Sequence, residues 1–230
     1  MSEKAFAKIV ADSKYRDTRI ITLEIDLWRA ILPEFNTHRM ISRNFQSTRA
    51  VPTVKLINQV RENPYVPVKF ARNQQGMVAG ETLSGVDYNR ALSRWLNAAA
   101  SAADNAQAMV DADVHKEVSG RLLEPFMWTK GVVTATEKVW IEFFKLRLHP
   151  DAQPEIYVLA EKIKEAIDES TPVMLKAGEW HTPYYDLGFW LEDSICTKNT
   201  LKEAIQISAS CNAQVSYRRL DDSLEKAVKV

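Results

Sequence analysis

Cysteine is scarce in this chain and glycine unusually low, two and seven among 230. Cys196 and Cys211 form no CxxC or Cys/His cluster, and no HExxH occurs. No metal site is therefore expected, and the chain reads as a reduced, cytoplasmic protein. The few glycines leave no GxGxxG and no GxxxxGK[ST]. Any nucleotide must then be held by side chains and helix ends rather than by a glycine-rich cradle. No apolar run approaches the roughly 20 residues of a membrane helix, and MSEKAFAKIV lacks the apolar stretch of a signal peptide. Net charge is absent as well, with 30 basic and 30 acidic residues. That balance argues against broad binding to nucleic acid or a membrane surface. With 46% hydrophobic residues, one globular domain over 1–230 with a sizeable core is expected.

The charge that is present is unevenly placed. Between Phe35 and Arg61 stand Arg39, Arg43, Arg49, Lys55 and Arg61 with no Asp or Glu; the acids return at Glu62. Within this segment THRMISRNFQSTRAVP adds His38, Ser42, Asn44, Ser47 and Thr48. Arginine offers a planar fork of donors that grips phosphate bidentately, and hydroxyls add short donors. A neighbouring carboxylate would compete for the same guanidinium. Spacing alone leaves two readings open, a small-anion or flavin site and a solvated basic loop rich in turn-formers. His38 by itself fits a half-buried structural histidine equally well.

The periodicities predict an α+β chain dominated by helices. Arg19–Asp26 is β-branched and reads as a strand. Trp28, Ile31, Leu32, Phe35 and His38 recur at helical spacing, with Pro33 in the first turn. Ser42–Ala50 reads as a loop, and Pro52 opens a short helix with Val54, Leu56, Ile57 and Val60 inward. Tyr65–Ala71 reads as an edge strand because of Pro67. Ser84 with Asp87 announces the longest helix, striped by Leu92, Trp95, Ala99, Ala103 and Ala106. Further helices are expected over His115–Leu123, Val132–Arg147, from Pro154 and over Asn199–Ser208, with a strand at Ala213–Arg218.

Three blocks carry a family resemblance. His38-Arg39, Ser42, Asn44, Ser47 and Arg49 resemble the Arg-His-Arg and Ser-x-Asn-x-x-Ser-x-Arg signature of the flavin-dependent thymidylate synthases. Phe144, Leu146, Arg147 and Asp151-Ala152-Gln153-x-Glu155-Ile156 resemble the family's Leu-Arg and His-Ala-Gln-x-Glu-Ile elements. Arg121 with Pro125 is similar to its Ala-Arg-x-x-Leu-Pro helix. The resemblance implies that family's fold, helix-rich with a small antiparallel sheet. It also implies an enzyme, a methyltransferase making dTMP from dUMP with methylenetetrahydrofolate and NADPH through FAD. The implied partners are dUMP, folate and further copies of the chain in a homotetramer with shared active sites. Flavin would be contacted by His38, Arg39, Asn44 and the position of Asp151. Nucleotide would be bound by the position of Glu34 and by Ser47, Arg49, Arg121 and Arg147. Arg147 would be catalytic, stabilising negative charge on the pyrimidine as C5 becomes nucleophilic. Neither cysteine lies in a motif that suggests attack on the base.

The departures are specific. Thr37 stands at the first arginine of the Arg-His-Arg triplet, Asp151 at a histidine, Glu142 at an asparagine, and Glu34 at a glutamine. Phe45-Gln46 replaces an acidic-aliphatic pair. CNAQVSYR at Cys211–Arg218 resembles a strand that common members carry near the N-terminus, so 179–230 is expected to be rearranged or incomplete. These changes keep a second expectation alive, a non-catalytic or altered-specificity nucleotide-binding homologue.

Overall fold

The computed structural model describes residues 5–185, 189–191, 200–215 and 221–229. In chain order its elements are β1 (Phe6–Tyr15), β2 (Thr18–Trp28), α1 (Leu32–Phe35), β3 (Ser42–Phe45), α2 (Thr53–Glu62) and α3 (Gly85–Asp111). There follow α4 (Lys116–Ser119), β4 (Trp128–Thr136), α5 (Glu137–Arg147), α6 (Pro154–Asp168), β5 (Val173–Met174), β6 (Glu179–His181) and β7 (Phe189–Leu191). The last two are α7 (Leu201–Gln214) and α8 (Leu224–Val228), and 3-10 turns occupy Arg29–Ile31 and Gly120–Phe126. Five strands form one sheet in the order β3-β4-β2-β1-β5, antiparallel except where β5 runs parallel to β1. β6 and β7 form a separate hairpin.

Strand alternation divides the work of β2. Ile21, Leu23, Ile25 and Leu27 are fully buried on one face, as a period of two requires. They pack with Trp140 and Phe143 of α5 and Ile156, Leu159 and Ile163 of α6. Each such side chain contributes roughly 1.5–3 kcal/mol by leaving water. The even-numbered residues face the opposite side, where polar groups meet the segment after α6. Thr22 bonds both Thr134 Oγ1 at 2.7 Å and His181 Nε2 at 2.9 Å, and His181 Nδ1 bonds Ser13 Oγ at 2.9 Å. Tyr184 donates its hydroxyl to Glu24 at 2.8 Å. Burial pushes His181 down to about 4, partly opposed by the Asp12 charge.

A second core joins α2 and α3 through Leu56, Ile57, Val60, Ala99, Ala103, Ala106, Leu123 and Met127. The alanines let the helix backbones approach closely. α7 and α8 close a third cluster around Tyr185, Ala204, Ile207 and Cys211. Among the described residues no helix is long and apolar enough to cross a membrane.

Several expectations are corrected. Ser42–Phe45 is a strand, because it finds the free edge of β4. Val132–Thr136 is also strand, and the helix begins only at Glu137, with Thr136 at its N-cap. β1, which the sequence reading leaves unassigned, lies beside β2. Tyr65–Ala71 forms no strand; only the bridge from Ala71 to Thr82 remains. The helix read through His38 is a 3-10 turn and four residues of α1, and the one at His115 gives way to 3-10 after Ser119. Val54 is exposed rather than inward. Ala213 and Gln214 belong to α7, while Ser216–Arg218 lie outside the described residues.

Candidate functional site

Arg147 ends α5 and turns its guanidinium onto the stretch that follows α1. Nε donates to His38 Nε2 at 2.8 Å, one terminal nitrogen pairs with the Glu34 carboxylate, and the other reaches Thr37 Oγ1 at 3.4 Å. Thr37 in turn donates to the Glu34 carbonyl at 2.7 Å. His38 must accept at Nε2, so its imidazole is the neutral tautomer with hydrogen on Nδ1. Burial, then the charges of Arg147 and Arg43, holds it down to about 4. The ring also meets Phe143 edge-on, with centroids 4.7 Å apart. Three donors of the guanidinium are thus engaged and two remain, at the wall of a cleft of about 800 Å³. Glu34, Lys69, Asp151 and Glu155 line the same cleft. A fixed cation with spare donors and a neutral imidazole can bind and polarise a heterocycle carrying carbonyl oxygens.

The other residues expected near a flavin are placed differently. Arg39 is exposed and has no side-chain hydrogen bond or ion pair among the described residues. Arg43 is spent internally, donating to the carbonyls of Asn36, His38 and Ile41 at 3.0, 3.2 and 2.8 Å. It thereby fixes the loop that carries His38. Asn44 donates its amide to the Asn212 carbonyl at 2.8 Å and so fastens β3 to α7. Asp151 is exposed, and its backbone N–H donates to His149 Nδ1 at 3.2 Å. A carboxylate at this point would repel a diphosphate. Of the four residues, His38 and Arg39 fit a flavin as donor and cation, whereas Asn44 and Asp151 do not.

Ser47, Arg49 and Arg121 form a separate cluster and do not line the Arg147 cleft. Ser47 and Arg49 are exposed on the turn between β3 and α2, closed by Ala50 N donating to the Ser47 carbonyl at 3.0 Å. Arg49 faces Glu117 at 3.3 Å and Arg121 faces Glu124 at 2.8 Å. The Arg49–Glu117 pair is solvent-exposed, worth about 0–1 kcal/mol, so an incoming anion can displace it. Two residues missed by the sequence reading complete the cluster. Arg29 donates to the Gln46 carbonyl at 2.8 Å, and Glu124 accepts from Thr48 Oγ1 at 3.2 Å. Burial lowers the pKa of Arg29, with the Glu124 charge opposing that shift. Glu124 could have been suspected from its place between Arg121 and Pro125; Arg29 carries no local signal. Cys211 is buried, and burial pushes its thiol up to about 11, away from nucleophilic use.

The chain thus joins an α+β scaffold to an exposed turn carrying Arg49 and a cleft walled by Arg147. The model of the family Thymidylate synthase complementing protein matches residues 17–173, more than half the chain, and the chain belongs to that family. A search of curated proteins finds no match. Among solved structures, the chain is similar to a UMP/dUMP methylase, PolB from Streptomyces cacaoi, bound with 5-Br dUMP. That comparison gives 16% identity and a TM-score of 0.59, covering 76% of this chain and 92% of the other. Its complex with 5-Br UMP gives 16% identity and a TM-score of 0.62, covering 76% and 91%. At this identity the likeness shows the shared fold.

Proposed function

We propose that the chain methylates C5 of a uridine 5′-monophosphate, in the manner of a flavin-dependent thymidylate synthase acting on dUMP. Family membership supports this reading, and the observation that carries it is Arg147, a guanidinium fixed by Glu34 and His38 with donors left over in a cleft. Methylenetetrahydrofolate supplies the carbon and NADPH the electrons, as the family resemblance implies. His38 and Arg39 would hold FAD, which when bound would supply the hydride. Arg147 orients the pyrimidine and stabilises the enolate-like charge that develops as C5 turns nucleophilic. Ser47, Arg49 and Arg121 take the 5′-phosphate, and the fold assembles as a homotetramer in which these groups meet Arg147 across a subunit boundary.

Glu34 and Thr37 favour a second reading, altered substrate preference. Glu34 offers only acceptor atoms when ionised, and Thr37 removes a cation from the flavin side. The neighbour complexes with both 5-Br dUMP and 5-Br UMP make the ribonucleotide the first alternative to try. Tritium release from C5-labelled dUMP and UMP, with methylenetetrahydrofolate, NADPH and FAD, decides among these readings. Release from either substrate establishes the reaction and its sugar preference. No release, with no flavin absorbance retained by the purified protein, leaves a nucleotide-binding homologue without catalysis.

A further inference from the structure

We infer that Glu124 is a positioning residue for the anion-binding turn, acting through Thr48 and Arg121. The inference rests on the reading of Ser47 and Arg49 as phosphate ligands. Glu124 sits on the 3-10 segment Gly120–Phe126, and its side chain is 28% exposed. Its carboxylate accepts from Arg121 at 2.8 Å and from Thr48 Oγ1 at 3.2 Å, with the Arg29 guanidinium at 3.7 Å. Thr48 is 3% exposed, whereas Ser47 and Arg49 on either side of it are exposed. The middle residue of the turn is therefore drawn inward by Glu124, and the two proposed ligands are presented outward.

A second strap has the same origin. Arg29, itself facing Glu124, donates to the carbonyl of Gln46 at 2.8 Å. One carboxylate thus couples the guanidinium that holds residue 46 to the hydroxyl that holds residue 48. Neither Ser47 nor Arg49 touches Glu124, so its effect on an anion is indirect. The charges leave room for a phosphate, since among the described residues the carboxylates facing Arg29, Arg49 and Arg121 are those of Glu117 and Glu124. In the family pattern Ala-Arg-x-x-Leu-Pro a leucine stands where this chain has Glu124. A leucine could accept from none of the three donors.

The test is calorimetric titration of the full chain with dUMP in wild type, Arg49→Ala, Glu124→Leu, Thr48→Val and Thr48→Ser. Glu124→Leu, which leaves no acceptor, and Thr48→Val are expected to lose dUMP affinity about tenfold, the scale of one hydrogen bond to a charged group. Thr48→Ser, which keeps the hydroxyl, is expected to bind as wild type. The double variant Glu124→Leu/Thr48→Val is expected to be no weaker than the worse single one, because both remove the same link. If Glu124→Leu fails to fold, Thr48→Val and Thr48→Ser decide the matter alone. Wild-type affinity in Thr48→Val, with weakened binding in Arg49→Ala, overturns the role of Glu124 and leaves the phosphate site standing. Wild-type affinity in Arg49→Ala overturns the phosphate site, and the role of Glu124 falls with it.

Discussion

Arg147 owes its conformation to a stretch of five residues, Glu34 to His38, and that dependence makes its role separable from the fold. Replacing Arg147 by alanine removes the cation, and Glu34, 30% exposed, can be hydrated in its place. Turnover is expected to fall at least about a hundredfold, the scale of a lost charge-stabilising donor, with little change in melting temperature. Tritium release beside a thermal melt checks this; retained turnover removes Arg147 from the chemistry. The same variant should let His38 titrate at higher pH than about 4, since Arg147 is one of the causes holding it down. It should stay below the ordinary value because burial, the largest cause, persists. Imidazole NMR signals followed against pH report it, and an unmoved His38 contradicts the pairing. At this scale the missing acids single out Ser47 and Arg49 in the sequence, and the structure exposes both on one turn. Arg43 belongs to the same run of cations, yet its guanidinium donates to three backbone carbonyls, and a count of charges cannot tell a ligand from a clamp. Arg29 was illegible because its partners, Gln46 and Glu124, are distant in the chain.

Element boundaries followed the sequence where one period dominated, as in β2, α3 and α6, and failed where two periods met. Val132–Thr136 is β-branched but adjoins the helical spacing of Val139, Trp140 and Phe143, so the helix was extended backward over half of β4. β1 turns into β2 through Arg16-Asp17, with Arg16 at φ 51°, without the Asn-Gly signature that marks most such hairpins. The pairing of β3 with β4 depends on Gly131, over which the Phe45 ring lies. A Cβ there would come within 2.2 Å of that ring. Gly131→Ala is therefore expected to displace Phe45 from its edge-on contact with Phe35 and cost roughly 1–3 kcal/mol, as overpacked cores do. Urea unfolding measures it, and unchanged stability would show that β3 shifts freely. His181 ties β6 to β1 and β2 through Ser13 and Thr22, and it is held neutral. Below the ordinary histidine value of 6.5 the unfolded chain binds a proton that the folded chain refuses until about pH 4. Its contribution, on the order of 3 kcal/mol, is complete above 6.5 and drains away as pH falls toward 4. His181→Gln should flatten that part of the stability profile; an unchanged slope between pH 6.5 and 4.5 refutes the assignment.

For the whole molecule, the class α+β and the succession of family blocks were readable in the chain, because each block is local. The grouping of those blocks in space was not. Arg147 and Glu34 line one cleft, with His38 bonded behind Arg147, whereas Ser47, Arg49 and Arg121 gather around Glu124 and Glu117 and contribute nothing to that cleft's lining. Under the proposed function, a nucleotide brings its base to the first set and its phosphate to the second. The proposed assembly resolves this if the base-binding set of one subunit meets the phosphate-binding set of another. Arg147→Ala and Arg49→Ala damage different sets, so each variant alone leaves every shared site defective. When the two are unfolded together and refolded as a mixture, random assembly pairs an intact Arg147 with an intact Arg49 at about a quarter of the sites. Activity should therefore reappear at about a quarter of the wild-type level in the mixture, and sedimentation should show the same oligomer as wild type. If the refolded mixture stays as inactive as its components, while each variant still assembles, the two arginine sets serve one chain at a time and the shared-site arrangement is wrong.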